Sequence, residues 1–262
     1  MNPLGRLGLS VRTNLHDLLD ATGLIGAVLW HAPRPWYWVR TVRANLGHQV
    51  VLLGVDAIPV VLLVGVISGA VGLLELQAWL TRIGVTGRFG EVANFLLIRE
   101  LGPVLMILVG IGRSGSSLTT SIAHARLQGG ARVLDAQGID PFVYFVMPVV
   151  IASTISLFCL SILFVAVALL SGYLAMSFFG LYDAGLTVFL GSVLGTVSPL
   201  DLFNFCLKTI LPGMAMGAIC CLEGLRRAGT TADVRLAGSR AVVRSLGFAM
   251  LVAAAVSVAS YL

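Results

Sequence analysis

Residues Phe95 to Pro141 read FLLIRELGPVLMILVGIGRSGSSLTTSIAHARLQGGARVLDAQGIDP, and this stretch decides the fold. It begins as an apolar helix, yet it carries Arg99, Glu100 and Arg113 at depths where a bilayer disfavours charge. It then runs through closely spaced glycines into a short polar segment. A simple membrane anchor needs none of these features, so we expect a membrane protein with a working part inside the bilayer.

The composition indicates whether the chain folds in water or in a membrane. Of its 262 residues, 58% are hydrophobic and only 11% are charged, and the mean hydropathy is +0.97. These values lie far outside the range of soluble globular domains and predict an all-α integral membrane protein. The net charge of +5 comes from basic residues in short stretches between apolar runs. Such stretches set membrane topology, and no solvated basic face for nucleic acid is expected.

The sequence offers little for catalysis. It contains no GxxxxGK[ST] phosphate-binding loop, and its histidines, cysteines and carboxylates lack metal-ligand spacing. A Ser/His/Asp arrangement is not excluded, but the serines beside the glycines of the quoted stretch are better explained as small packing residues. We therefore predict no enzyme activity, no bound metal and no cofactor of the chain's own.

The first 49 residues are predicted to form an interfacial amphipathic segment. Apolar residues recur at helical spacing between Leu4 and Leu18, with polar residues largely on the other faces. The apolar run from Ala21 to Trp30 is about half the length of a membrane span, and no cleavage site convincingly follows it. Aromatic and basic residues around Trp36 then resemble a belt at the membrane boundary.

Residues 50–262 are predicted to form the transmembrane domain. Counting roughly 20 apolar residues per crossing gives five spans. They lie at about 50–78, 90–122, 142–175, 200–224 and 241–261. Residues 176–199 are only moderately apolar, so they are either a short re-entrant or surface helix or a sixth span.

Basic connectors predict the orientation. The segments before span one, between spans two and three, and between spans four and five are rich in arginine, whereas residues 176–199 contain no Lys or Arg. The positive-inside rule therefore places the N-terminus in the cytoplasm and the C-terminus outside.

Four glycines are candidates for close helix packing. Gly65 and Gly69 form a small-xxx-small pair in span one, and Gly112 and Gly115 lie in span two. Glycine is also common in membrane helices generally, so the pattern alone leaves the packing role open.

Charges inside the predicted spans need partners. Lys208 is the only lysine of the chain and lies about 12 Å into span four at 1.5 Å per residue, and Arg99 and Glu100 reach nearly the same depth in span two. An unpaired charge there costs at least about 2.5 to 3.5 kcal/mol on insertion scales. By this assignment Glu100 is the only carboxylate at that depth and serves both cations, which leaves net positive charge.

Several motifs carry a resemblance to a known family. They are RELGPV at Arg99 to Val104, GRSGSSLTTSI at Gly112 to Ile122, a connector ending at Pro141, DLFNFCLK at Asp201 to Lys208, and AVVRSL at Ala241 to Leu246. Together they resemble the MlaE/YrbE permeases of bacterial MCE-type ABC transporters, over nearly the whole chain.

The resemblance implies a multi-pass permease of the bacterial inner membrane that works as a homodimer. Its partners would be a cytoplasmic ABC ATPase, which binds the ATP and Mg²⁺, and a periplasmic MCE-domain protein, and its substrate phospholipid or a related lipid. The resemblance places the lipid pocket near Arg99, Glu100 and Lys208, where net positive charge would suit an anionic headgroup. The alternative is a purely structural Glu100 to Lys208 pair.

A cytoplasmic coupling helix that docks on the ATPase is implied at about Ala123 to Ile139. Its charged residues are Arg126, Arg132, Asp135 and Asp140. The chain departs from the family at Ser121, where a carboxylate is usual, and at Gly129 and Gly130, where an acidic or amide pair is usual. Paired glycines in a helix destabilise it by roughly 1 kcal/mol each relative to alanine.

The alternative class is a membrane protein that does not use ATP, namely a channel, a carrier or a scaffold subunit. A secondary carrier usually shows an internal repeat with paired broken helices, and none is visible here. A scaffold has no need for Arg99, Glu100 and Lys208 inside its spans.

Overall fold

The apolar runs of the sequence fold into helices in a computed structural model. It describes residues 20–32, 34, 36, 38–138, 140–182, 185–226 and 231–260. The predicted amphipathic stretch from Leu4 to Leu18 lies outside these residues. Within them, residues 20–31 are helical and are called α1.

The described residues contain helices and no strand, which confirms the all-α prediction. After α1 come α2 (Arg40–Leu53), α3 (Ile58–Ile83), α4 (Phe89–Ala93), α5 (Gly102–Leu127), α6 (Gly130–Ala136), α7 (Met147–Phe178), α8 (Leu186–Leu194), α9 (Pro199–Arg226) and α10 (Thr231–Ala259). Two π-helical segments, Asn94–Leu101 and Phe142–Val146, lead into α5 and α7.

Five segments of the described chain are long and apolar enough to cross a membrane, as predicted. They are Arg40–Ile83, Phe89–Leu127, Phe142–Phe178, Pro199–Leu225 and Asp233–Ala259. The first and last begin about ten or fewer residues before the predicted spans, because α2 and α10 continue past the apolar run into arginine-containing turns. Hydropathy marks the apolar part of a helix and leaves its polar extension out.

The segment between spans three and four contains a short helix. α8 has nine residues, fewer than half of the roughly 20 that a crossing needs, so the alternative of a sixth span is excluded. α8 packs on α4, where the rings of Phe89 and Phe189 lie 6.0 Å apart. It therefore covers the start of the second span.

α7 lies between α3 and α9, while α5, α9 and α10 pack against one another. Two predicted packing glycines, Gly65 and Gly69, face α7. Gly115 faces α10, where a Cβ built on it would lie 3.3 Å from a methyl group of Val242. Gly112 differs from the prediction: it is exposed, and a Cβ built there meets no atom within 4 Å.

The predicted coupling helix over Ala123 to Ile139 is shorter than expected. α5 continues to Leu127, and after a turn α6 has only seven residues. Gly129 adopts a φ of 75°, which L side chains rarely adopt, and a Cβ on Gly130 would lie 2.8 Å from the Ala125 carbonyl oxygen. The paired glycines thus make the turn between two helices, and the expectation that they weaken one continuous helix is wrong.

Candidate functional site

The π-helical segment Asn94–Leu101 presents Arg99 and Glu100 at the start of the second span. Pro103 follows two residues after the end of this segment. As a proline it has no N–H, so it cannot donate the usual helical hydrogen bond to the carbonyl of Arg99, four residues before it. π-helical turns often occur at functional sites because they widen and re-aim a helix. This local geometry leaves a backbone acceptor beside the two charged side chains.

The side chain of Lys208, on α9, contacts both the Arg99 carbonyl and Glu100. This side chain is fully buried, and its Nζ lies 2.8 Å from Glu100 Oε1. The same ammonium donates a hydrogen bond of 2.9 Å to the carbonyl oxygen of Arg99. A buried lysine needs such partners, because an isolated ammonium in a medium of low dielectric is strongly disfavoured.

Glu100 connects the pair to a third helix. Both of its carboxylate oxygens lie within 3.2 Å of the Ser257 hydroxyl of α10, which donates to the carboxylate. Its side chain remains 27% exposed, in contrast to the buried Lys208. Glu100 is therefore the member of the pair that a ligand can reach.

Arg99 has a separate carboxylate partner. Its Nη1 lies 3.6 Å from Asp201 Oδ1, and its Nη2 donates to the Ser260 hydroxyl at 2.7 Å. Asp201 also closes a capping box at the start of α9, because the Ser198 N–H donates to its carboxylate and the Asp201 N–H donates to the Ser198 hydroxyl. The Asn94 amide reaches the same carboxylate at 3.4 Å.

The prediction that Glu100 alone serves two cations is wrong. Arg99, Glu100, Asp201 and Lys208 form what we call the ionic network, with two formal positive and two formal negative charges. The S-P-L-D sequence at 198–201 is the signal that sequence reasoning missed, since it matches a capping box. The network therefore has no net positive charge, and it gives no reason to expect an anionic headgroup at this site.

A second ion pair lies at the other end of α9. Arg244 of α10 contacts the carboxylate of Glu223, which is buried. Sequence reasoning did not select these residues, although both fall within or at the edge of the predicted spans. α10 is thus tied to α9 near one end and to Glu100 near the other.

The four residues predicted to couple to an ATPase lie elsewhere, around α6. Arg126, Arg132, Asp135 and Asp140 are all exposed. Asp140 accepts a hydrogen bond of 2.9 Å from the Phe142 N–H and so caps the following π-helical turn. The structure therefore brings Arg99, Glu100 and Lys208 together and keeps these four at the opposite end of α5.

An apolar groove of about 460 Å³ opens beside the ionic network. Ile98 and Leu202 line it, and they are sequence neighbours of Arg99 and Asp201. Residues of α7 and α8, such as Leu169 and Leu194, complete its wall. Within the described residues, no group of three or more His, Cys, Asp or Glu side chains is arranged to hold a metal ion.

Five apolar spans in the described part of the chain, with an ionic network between the second and the fourth, define a multi-pass membrane protein with a polar site inside the bilayer. The family model described as Permease MlaE matches residues 46–259. The chain therefore belongs to the MlaE permease family.

Curated relatives agree with this assignment. A probable ABC transporter permease protein of Rickettsia prowazekii is 31% identical over 200 residues, which cover 76% of each chain. Another from Synechocystis is 30% identical over 229 residues, 87% of this chain and 85% of that one. The intermembrane phospholipid transport system permease protein MlaE of Haemophilus influenzae is 29% identical over 232 residues, 87% of each chain.

Proposed function

We propose that this chain is the permease subunit of an ATP-driven transporter that moves phospholipid or a related lipid between bacterial membranes. It would sit in the inner membrane as a homodimer, with a cytoplasmic ABC ATPase that binds ATP and Mg²⁺ and a periplasmic MCE-domain protein. The observation that carries the proposal is the family match over residues 46–259, together with relatives named as ABC and phospholipid transport permeases. The alternative of a protein that does not use ATP has no comparable support.

Within this proposal Arg99, Glu100 and Lys208 belong to the lipid pathway. Glu100 is partly exposed, and Ile98 and Leu202, the sequence neighbours of Arg99 and Asp201, line the apolar groove. A lipid needs both kinds of surface, since its headgroup is polar and its acyl chains are apolar. Lys208 is fully buried, so its role in the pathway is to hold Glu100 in place.

The test is lipid transfer by the reconstituted complex. The permease, its ATPase and its MCE-domain partner are placed in donor vesicles that contain fluorescent phospholipid, and transfer to acceptor vesicles is followed with ATP. We expect transfer that requires ATP and stops with an ATPase variant unable to hydrolyse it. Transfer at the same rate without hydrolysis would refute the ATP-driven proposal.

The orientation gives a topology prediction. Gly129 lies in the turn before α6, between Arg126 and Arg132, so we expect it in the cytoplasm. Gly129→Cys, in a variant whose four native cysteines are replaced, should resist an impermeant thiol reagent in intact cells and react after permeabilisation. Labelling from outside would reverse the orientation.

The ATPase contact gives a coupling prediction. Arg132 and Asp135 are exposed on or beside α6, so reversing either charge should leave the fold intact and weaken an electrostatic contact with a partner. We expect Arg132→Glu and Asp135→Lys to lower lipid-stimulated ATP hydrolysis of the assembled complex severalfold. Arg88→Glu, an exposed charge in the turn between spans one and two, is the matched control. Unchanged hydrolysis in both reversals would mean that these charges only solvate a loop.

A further inference from the structure

α5 carries a polar stripe on a face that the described part of the chain leaves open. Arg113, Ser117 and Ser121 are exposed and follow one another at intervals of four residues, so they share one side of the helix. Arg113 lies close to the middle of this 26-residue helix. The stripe therefore leads from the α6 end of α5 to the interior of the bilayer.

A cavity of about 250 Å³ with a mixed polar and apolar lining lies along this stripe, between α2, α5 and the start of α7. Ser117 and Ser121 line it from α5, and Asn45, His48 and Gln49 line it from α2. At about 30 Å³ for each water molecule, the space matches roughly eight waters, which suits a headgroup and is too small for a whole lipid. The ionic network lies at the other end of α5, so this is a separate site.

Arg113 lies next to the cavity, one turn of α5 before Ser117, although it does not itself line the cavity. Its Nη1 donates to the carbonyl oxygen of Leu52 at 3.4 Å, and Leu52 lines the cavity. Its other hydrogen bond, to the Ser114 hydroxyl, is equally long, and no carboxylate of the described residues forms an ion pair with it. A cation without a counter-charge inside a bilayer marks a substrate path or an absent partner of opposite charge.

We propose that this cavity binds the phosphate group of a phospholipid from the leaflet on the α6 side. The guanidinium of Arg113 and the hydroxyls of Ser117 and Ser121 would donate to the phosphate oxygens, and the acyl chains would remain in the bilayer. A planar guanidinium matches a phosphate better than any other side chain does. The inference rests on the proposed function, whose orientation makes this the cytoplasmic leaflet and the cavity an entry site.

Photo-crosslinking of the full chain tests the site. The variant Ala125→p-benzoylphenylalanine keeps all three proposed donors, since Ala125 lines the cavity one turn beyond Ser121. It is placed in vesicles of phosphatidylethanolamine and radiophosphorus-labelled phosphatidylglycerol and is irradiated. We expect labelled protein, and at least about tenfold less label when Arg113→Gln is added, because a charge-assisted hydrogen bond is lost. Arg113→Lys should keep most of the label. Size-exclusion chromatography verifies that each variant is folded.

Ile155→p-benzoylphenylalanine is the matched control, since Ile155 is 45% exposed on the lipid-facing side of α7. Its labelling by bulk lipid should not change with Arg113→Gln. Equal labelling at position 125 with and without Arg113 would overturn the site. Loss of label on addition of inorganic phosphate at a concentration that leaves position 155 labelled would show that the cavity prefers free phosphate, and this would overturn a lipid headgroup as its ligand. Label that depends on Arg113, in a complex that transfers no lipid, would refute the proposed function and leave this site standing.

Discussion

Lys208→Ala should remove most of the folded protein from the membrane. The substitution leaves the carboxylate of Glu100 without its cation and the carbonyl of Arg99 without its donor. Removing one partner of a buried ion pair destabilises a protein by about 3 to 5 kcal/mol. The measurement is the amount of protein that remains monodisperse after detergent extraction, together with its melting temperature.

The double variant Lys208→Met with Glu100→Gln is the control for this prediction. It removes both charges while keeping similar volumes, and such replacements are often neutral or stabilising. We expect it to recover the folded protein that Lys208→Ala loses. If Lys208→Ala is folded but transports poorly, the lysine contacts lipid. If it is folded and transports normally, Lys208 is neither a structural partner of Glu100 nor a lipid contact.

The ion pair between Glu100 and Lys208 was predictable because the depth of a residue in the membrane can be counted along the sequence. Counting residues from the ends of the apolar runs placed both at the same level, and two opposite charges at one level inside a membrane have a strong reason to pair. The helical fold and the number of spans follow from the same counting. These features need only the length and hydropathy of each segment.

Asp201 was missed for a related reason. It lies at the first turn of α9, and a count of apolar residues places it at the membrane boundary, where a carboxylate needs no explanation. The capping box with Ser198 fixes the Asp201 carboxylate, and the π-helical segment presents Arg99 to it. Such a pair depends on the rotation and register of two helices, which hydropathy does not encode.

The glycines also show that the sequence pattern does not encode which helix faces pack together. Gly69 and Gly112 look alike in sequence, since each sits in an apolar span near another glycine. The structure packs Gly69 against α7 and leaves Gly112 on an open face of α5. A small-xxx-small pattern marks a face that permits close approach, and only the tertiary arrangement decides whether a helix occupies it.

The helices α3 and α7 approach each other closely at Gly69 and Gly172. A Cβ built on Gly69 would collide with the carbonyl oxygen of Ala168 and would lie 2.5 Å from its Cα. On the opposite side, Gly172 of α7 receives the side chain of Leu73. Because the obstructing atoms at Gly69 belong to the backbone of α7, no side-chain rotation makes room.

Gly69→Ala should therefore separate α3 from α7 and lower the melting temperature of the detergent-solubilised protein. Overpacking a tight site costs about 1 to 3 kcal/mol, and a backbone obstruction places this change at the upper end. Gly72→Ala is the matched control on the same helix, because a Cβ there meets no atom within 4 Å. It should be neutral or stabilising, since alanine favours a helix by up to about 1 kcal/mol over glycine. Equal melting temperatures for the two variants would contradict the described α3–α7 contact.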